Sequence, residues 1–404
     1  MIYLDHAAAT PVDKRVIEAM KPYFDVQFFN PSAAYLPAKK VAAEYEAAKG
    51  EIAHAIGAKG SDIVITAGAT EANNLAFTVA GKAVESSLSR TISLGERPRA
   101  CPRKADSTAT ILYLSTEHDS VRKVAESLGG VPVKVLKSGV VDLDDLKAKI
   151  TDETELISIS LVNNELGTIQ PLAEVAGIIR EVKYDRLKRG IKRPLLLHSD
   201  ASQALNLLDV NVARLGVDLM TLNAAKIYGP KGVGALYVSH EVKLSPITYG
   251  GGQERGLRSG TENVPGVIGF AKAVTLAKEH VKSNRKKYAD WRKLLLAELQ
   301  GYELVNKKHT LDNFIVLCYN GLDAERLIYL LEDHEVYVST GAACAASKGV
   351  KSHVLKAIGL SDEEIAGSLR ITFGESNDEE QIHEAARIIN QVVAAEMERV
   401  RNEK

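Results

Sequence analysis

The sequence predicts an α/β fold: a mostly parallel central sheet with helices on both faces, plus a smaller α+β domain. Three observations carry this reading. From Asp62 to Lys226, short Ile-, Val- and Leu-rich runs alternate with amphipathic segments of helical period. A helical crossover between strands returns the second strand parallel to the first. Beyond Val264 the alternation loosens into a long Lys- and Ala-rich helix, two strand-like runs and closing helices. The expected division is a large domain over residues 14–262 and a small domain formed by residues 1–13 and 263–404.

The elements follow in order. An apolar lead-in from Tyr3 stops at Pro11, helix is expected from Lys14 to Tyr23, and Asn30-Pro31-Ser32 marks a turn. The Ala/Glu/Lys-rich segment from Lys39 to Ile56 reads as an amphipathic helix. Strands are expected at Ile63–Thr66, Ile111–Ser115, Val131–Leu136, Leu156–Leu161, Leu195–His198 and Val217–Leu222. Helices between them are expected from the Gly68-Ala69-Thr70 turn to Val84, from His118 to Leu128, from Leu143 to Ile150 and from Leu172 to Val182. Later come a helix over Val264–Leu299, strands near Asn313–Leu317 and Val336–Ser339, and a last helix over Glu379–Val400. Two stretches break the rhythm. Glu85–Thr110 reads as an exposed polar loop, and the basic run Lys183–Pro194 as a solvated helix end or a docking face for an acidic partner.

Length and composition narrow the function. At 404 residues, with 25% charged residues and a net charge of −1, the chain has no electrostatic footprint for nucleic acid or a membrane surface. Met1–His6 lacks the basic and apolar regions of a secretory signal, and three scattered cysteines fit neither a disulfide framework nor a metal site. A cytoplasmic protein without a resident metal is expected, with any functional cysteine acting through its reactivity.

In parallel sheets ligands bind beyond the carboxyl ends of the strands. The residues expected there are Thr70, His118, Asn164, Asp200 and Lys226. Lys226 follows a strand and precedes the turn Tyr228-Gly229-Pro230. It is either a solvated charge or the amine that forms a Schiff base with a carbonyl cofactor such as pyridoxal 5′-phosphate (PLP). Such a cofactor needs a carboxylate at its pyridine nitrogen, for which Asp200 is placed, and a helix N-terminus for its phosphate, for which Gly68-Ala69-Thr70 is suited. Cys344 sits in a Gly/Ala/Ser-rich loop that offers little packing and suits a nucleophile, whereas Cys318 in its apolar strand reads as core. Arg370 interrupts a strand-like run, as an ion-pair partner or a carboxylate binder.

These motifs, in this order, resemble the cysteine desulfurases of the Nif/Isc type, within the class V aminotransferase group of fold-type I PLP-dependent transferases. The resemblance runs over nearly the whole chain. It rests on Gly68-Ala69-Thr70-Glu71, Glu117-His118, Val162-Asn163-Asn164-Glu165, His198-Ser199-Asp200-Ala201-Ser202-Gln203, Lys226-Ile227-Tyr228-Gly229-Pro230-Lys231-Gly232, Gly250-Gly251-Gly252-Gln253, Arg258-Ser259-Gly260-Thr261 and Ala343-Cys344. It implies conversion of L-cysteine to L-alanine, with the sulfur held as a persulfide on Cys344. By the same resemblance Lys226 forms the Schiff base and shuttles the Cα proton, Asp200 pairs with the pyridine nitrogen, and Gln203 bonds the ring hydroxyl. His118 stacks on the ring and takes part in acid–base steps. Ala69 and Thr70 meet the phosphate, Asn164 and Arg370 hold the substrate carboxylate, and Thr261 reaches the phosphate of the other subunit in a homodimer. An iron–sulfur scaffold or another sulfur-acceptor protein is the implied partner, and Cys344 a transient cluster ligand.

The chain departs from the pattern at two positions. Asn223 and Ala225 stand where such enzymes carry serine and histidine, so looser cofactor retention is expected. A selenocysteine lyase-like enzyme and a degenerate accessory protein on the same fold are the alternatives.

Overall fold

A computed structural model describes residues 1–80, 110–340 and 351–403. The chain opens with β1 (Ile2–Tyr3), α1 (Lys14–Met20), α2 (Pro22–Asp25) and α3 (Leu36–Ala55). The single helix expected over Lys14–Tyr23 is two, because Pro22 lacks the N–H that would continue α1 and instead opens α2. The central sheet is built from β2 (Ile63–Thr66), β3 (Thr110–Leu114), β4 (Val131–Val133), β5 (Thr154–Ser158), β6 (Leu196–Asp200), β7 (Leu219–Asn223) and β8 (Gly234–Val238). Its order is β2-β8-β7-β6-β5-β3-β4. All neighbours are parallel except β8, which is antiparallel to both β7 and β2. Pro132 is confined to the edge strand β4, where its missing donor costs no ladder bond on the outer side.

Between the strands lie α4 (Ala69–Ala76), α5 (Asp119–Ser127), α6 (Leu143–Lys149), α7 (Leu172–Lys188) and α8 (Val212–Leu215). Side chains alternate through the sheet. Ile63, Ile65, Leu112, Leu114 and Ile157 join the larger core, while Val64, Ile111, Tyr113 and Leu156 pack on the other face with Leu75, Phe77 and Val121.

Strand β8 is not among the strands the sequence predicts, because Gly234–Val238 follows directly on the glycine-rich turn after Lys226 and shares its turn chemistry. Helix α7 runs six residues past the expected Val182, so half of the basic stretch is helical. That stretch is also not simply solvated. Arg186 is 1% exposed, and its guanidinium donates to the carbonyls of Thr151 (2.5 Å) and Thr154 (2.8 Å) beside β5. The polar loop expected at Glu85–Thr110 lies outside the described residues, apart from Thr110, which begins β3.

After α9 (Val264–Glu298) come β9 (Glu303–Leu304), β10 (Phe314–Cys318), α10 (Ala324–Glu332), β11 (Val336–Tyr337), β12 (Ser339–Thr340), α11 (His353–Ala357), α12 (Asp362–Ala366), β13 (Ser368–Thr372) and α13 (Glu379–Asn402). The strand expected at Val336–Ser339 is split: β11 pairs with β1, and β12 joins a four-stranded antiparallel sheet ordered β12-β13-β10-β9. Asp5 bridges to Thr372, so the N-terminus is stitched to this second sheet. No helix among the described residues is long and apolar enough to cross a membrane.

Candidate functional site

Because β2, β3, β5, β6 and β7 run the same way, their carboxyl ends open on one edge, and a cavity of about 930 Å³ lies there. Thr70, His118, Asn164, Asp200 and Lys226 all line it, as do Ala69, Gln203, Asn223 and Arg370.

Lys226 ends a short 3₁₀ turn, Ala224–Lys226, whose start is capped by the Asn223 carboxamide oxygen accepting from the Ala225 N–H (3.2 Å). The Lys226 ammonium donates to the carbonyls of Ala7 (2.8 Å) and Ala8 (2.6 Å) on the N-terminal segment. Thr10 of that segment is buried, donates its hydroxyl to the Ala225 carbonyl (3.1 Å) and accepts from the Tyr228 N–H (2.9 Å). It therefore grips the turn on both sides of the lysine. Tyr228 has a φ of 62°, a conformation costly for a bulky residue and retained here by those bonds.

Across the cavity, Gly68 has a φ of 147°, which favours glycine, and leads straight into α4. Helix geometry leaves the N–H groups of Ala69 and Thr70 without intrahelical acceptors, an anion cradle next to the Thr70 hydroxyl. Gly234 lets this turn sit against β8: a Cβ there would meet Gly68 backbone atoms at 2.8 Å. Glu71, in the same first turn, has its carboxylate engaged by the Ala67 N–H (2.7 Å) and Arg258 (3.0 Å).

Asp200 is buried, with its two oxygens accepting from Asn73 Nδ2 (2.8 Å) and the Ser202 N–H (2.9 Å). Behind it, His198 lies between the hydroxyls of Ser158 (2.8 Å) and Thr221 (3.1 Å); burial pushes its pKa down to about 4, so it is neutral. Glu117 is buried too, and burial together with the nearby Asp200 charge holds its carboxyl well above the usual range. His118 caps α5 by accepting the Ser120 N–H at Nδ1 (3.1 Å), which assigns its proton to Nε2. Gln203 donates to the Ala7 carbonyl (3.0 Å).

On the opposite wall, Arg370 donates to the Asn164 carbonyl (2.8 Å) and to Asp5 (2.6 Å). Glu165 is buried beside Asn164 and accepts from Ser352 (2.5 Å); burial pushes its carboxyl up to about 7. His353 reaches the Glu117 carbonyl (2.9 Å) and lines the cavity. Thr261 is exposed and lies outside the lining of this cavity. Cys344 and Cys101 lie outside the described residues. Cys318 is buried, and burial raises its thiol to about 11, as suits a core residue.

The Aminotransferase class-V family profile matches residues 2–96 and 98–384. The chain belongs to the class-V aminotransferase family. It is 35% identical over 402 residues to cysteine desulfurase IscS 1 of Archaeoglobus fulgidus, covering 97% of each chain. It is 36% identical over 400 residues to cysteine desulfurase IscS of Neisseria meningitidis serogroup C, covering 96% of this chain and 91% of that one. Among solved structures, a NifS-like protein superposes with a TM-score of 0.84 at 30% identity, covering 98% and 99% of the two chains. SspA in complex with cysteine superposes with a TM-score of 0.75 at 32% identity, covering 92% and 99%.

For this class-V chain the donor set fits PLP: an amine, a buried carboxylate and a glycine-opened helix N-terminus share one cavity. Sequence reasoning missed Asp5, the Ala7 and Ala8 carbonyls, Thr10, Glu165 and His353. Glu165 was signalled by its place beside Asn164. The carbonyls had no signal, because backbone atoms leave no mark on residue identity.

Proposed function

We propose that this protein is a PLP-dependent cysteine desulfurase, converting L-cysteine to L-alanine and leaving the sulfur on Cys344 as a persulfide. The observation that carries this reading is the convergence of Lys226, Asp200, the α4 N-terminus and Arg370 on one cavity, in a chain whose relatives include cysteine desulfurases.

When bound, PLP supplies an electron sink that acidifies the α-carbon of the attached amino acid. Asp200 would hold the pyridine nitrogen, Gln203 the ring hydroxyl, and Ala69 and Thr70 the phosphate, with Asn223 offering its remaining amide N–H groups. His118, which lines the cavity, would stack on the ring and take part in the acid–base steps. Lys226 takes the α-proton and returns it; the carbonyls of Ala7 and Ala8 hold its amine in place when it is not so engaged. Asn164 and Arg370 orient the substrate carboxylate. The Cys344 thiolate attacks the substrate sulfur, so a C–S bond breaks and an S–S bond forms. The carbon that loses sulfur takes up a proton to become the methyl group of alanine.

Residues 14–262 are read as the cofactor-binding part, and residues 1–13 with 263–404 as the part carrying Cys344 and Arg370. A homodimer accounts for Thr261, which is exposed here and available to a second copy's phosphate site. The persulfide sulfur passes to an iron–sulfur scaffold or a tRNA-thiolation acceptor in the cytoplasm. The purified protein is expected to be yellow, to bleach with borohydride through Lys226, and to make alanine from L-cysteine. Sulfide release that survives Cys344→Ala would sink the persulfide route.

A further inference from the structure

We propose that Asp5 is a positioning residue for the substrate carboxylate, holding the Arg370 fork so that it presents one N–H from each terminal nitrogen to the cavity. The inference rests on the desulfurase reading, in which Arg370 meets the amino acid's carboxylate, and adds the residue that aims it.

A guanidinium has five N–H donors, and which of them a ligand meets depends on how the others are tied. Arg370 is 3% exposed, in the middle of β13. Its Nη1 donates to the Asn164 carbonyl at 2.8 Å and its Nη2 to Asp5 Oδ1 at 2.6 Å, so the fork is fastened on both prongs. Its Nε is buried and has no partner among the described residues, so that N–H faces protein. Each terminal nitrogen keeps one further N–H, and Arg370 lines the cavity. A carboxylate takes two parallel N–H bonds from such a pair.

Asp5 is itself outside the cavity lining, with its side chain 17% exposed, so it stands behind the fork and not in the ligand's place. Its backbone is fixed to the strand that carries Arg370. Asp5 bridges Thr372 two residues along β13, the Ala7 N–H donates to the Thr372 hydroxyl (3.0 Å), and the Tyr3 hydroxyl lies 2.9 Å from the Asp5 carbonyl. Carboxylate and guanidinium therefore move as one body. The pairing also keeps a nearly inaccessible cation from standing uncompensated before substrate arrives.

The two contributions of Asp5, an oxygen in the right place and a negative charge, separate by substitution in the PLP-loaded enzyme. Asp5→Ala removes both; the KM for L-cysteine is expected to rise about tenfold or more, with kcat within about threefold, as for one lost bidentate alignment. Asp5→Asn keeps the oxygen and is expected to hold KM within about threefold of wild type. Titration with L-alanine, which carries the same carboxylate but needs no turnover, is expected to show a parallel change in Kd. An unchanged KM in Asp5→Ala, a fall in kcat as large as the rise in KM, or an Asp5→Asn variant as impaired as Asp5→Ala would overturn the proposal. If Asp5→Ala does not fold, Asp5→Glu, which displaces the carboxylate by one methylene, must raise KM in its place; an unchanged value counts against positioning. Arg370→Ala is the control: if it leaves KM unchanged, the carboxylate role of Arg370 fails, a result distinct from failure at Asp5.

Discussion

The Ser352 hydroxyl donates to Glu165 at 2.5 Å, joining the residue after Asn164 to the first turn of α11. Ser352 is also the cap of that helix, accepting the Leu355 N–H at 3.1 Å, and the adjacent His353 reaches the Glu117 carbonyl. Ser352 lies only eight residues beyond Cys344. The chain that carries the proposed nucleophile is thus anchored, on its C-terminal side, to two of the strand ends that build the cavity.

Glu165 gives this anchor a pH signature. Burial is the largest influence on its carboxyl, with Asp119 acting in the same direction and Ser352 and Arg370 opposing, and it rises from 4.5 to about 7. Between those values the folded protein keeps a proton that the unfolded chain has lost. Stability therefore falls as pH rises through that window and levels off above it, by on the order of 3 kcal/mol. Glu165→Gln removes the titration. The stability of wild type minus that of Glu165→Gln, measured by urea unfolding from pH 4.5 to 8, is expected to fall over this range; a flat difference contradicts the assignment.

Ala225→His tests whether the turn before Lys226 limits cofactor retention. A methyl group cannot donate, and the neighbouring Asn223 carboxamide oxygen is already committed to the Ala225 N–H. Only the Asn223 NH₂ remains to replace two donors. Restoring one charge-assisted bond with Ala225→His is expected to strengthen PLP binding by ~1–2 kcal/mol, about tenfold. The check is the fraction of aldehyde cofactor retained after prolonged dialysis. Equal loss from both proteins would show that other groups dominate the phosphate site.

The sheet and most of the site are legible in the sequence because their signals are periodic and positional. Apolar runs mark the strands, and parallel strands place their carboxyl ends together, so the strand pattern alone gathers Thr70, His118, Asn164, Asp200 and Lys226 at one edge. Strand β8 escapes because glycines on either side of Val233 read as turn chemistry, whereas Gly234 is glycine for its contact with Gly68. Arg186 escapes because a basic run is ordinarily solvated; here the end of α7 turns one guanidinium onto the backbone carbonyls of Thr151 and Thr154. The N-terminal segment is silent for a different reason. Its contribution through Ala7 and Ala8 is made by carbonyl oxygens, which any residue would supply.

Thr10 tests how far that segment governs the lysine. Its hydroxyl joins the Ala225 carbonyl to the Tyr228 N–H, and Tyr228 occupies a left-handed conformation immediately after the lysine turn. Thr10→Val keeps the shape and removes the hydroxyl, leaving the buried Tyr228 N–H unsatisfied at a cost of ~1–3 kcal/mol. Urea unfolding measures that loss, and Thr10→Ser is expected to recover most of it. The rate at which borohydride fixes the cofactor to Lys226 is expected to fall in Thr10→Val alone. A normal rate despite lower stability would confine Thr10 to a packing role.

Glu117 supplies a second buried acid held above the usual carboxylate range, this time behind Asp200. Its Oε1 accepts from the Ser160 N–H (2.5 Å), its Oε2 has no partner among the described residues, and the Asp200 charge is close enough to disfavour a second anion. Burial and the Asp200 charge hold this carboxyl well above the ordinary carboxylate range, so the wild type loses stability as pH climbs above that range. Glu117→Gln removes the titration while keeping the shape and the acceptor for Ser160. It is expected to keep the cofactor's colour, to match wild-type stability within about 1 kcal/mol near pH 4, and to lose less stability than wild type as pH rises from there. Glu117→Ala removes the acceptor and leaves a cavity behind Asp200, at about 2–4 kcal/mol. Parallel denaturation curves at pH 4 and 8 separate the two variants. If Glu117→Gln proves as damaging as Glu117→Ala, the ionised carboxylate is the form the site requires.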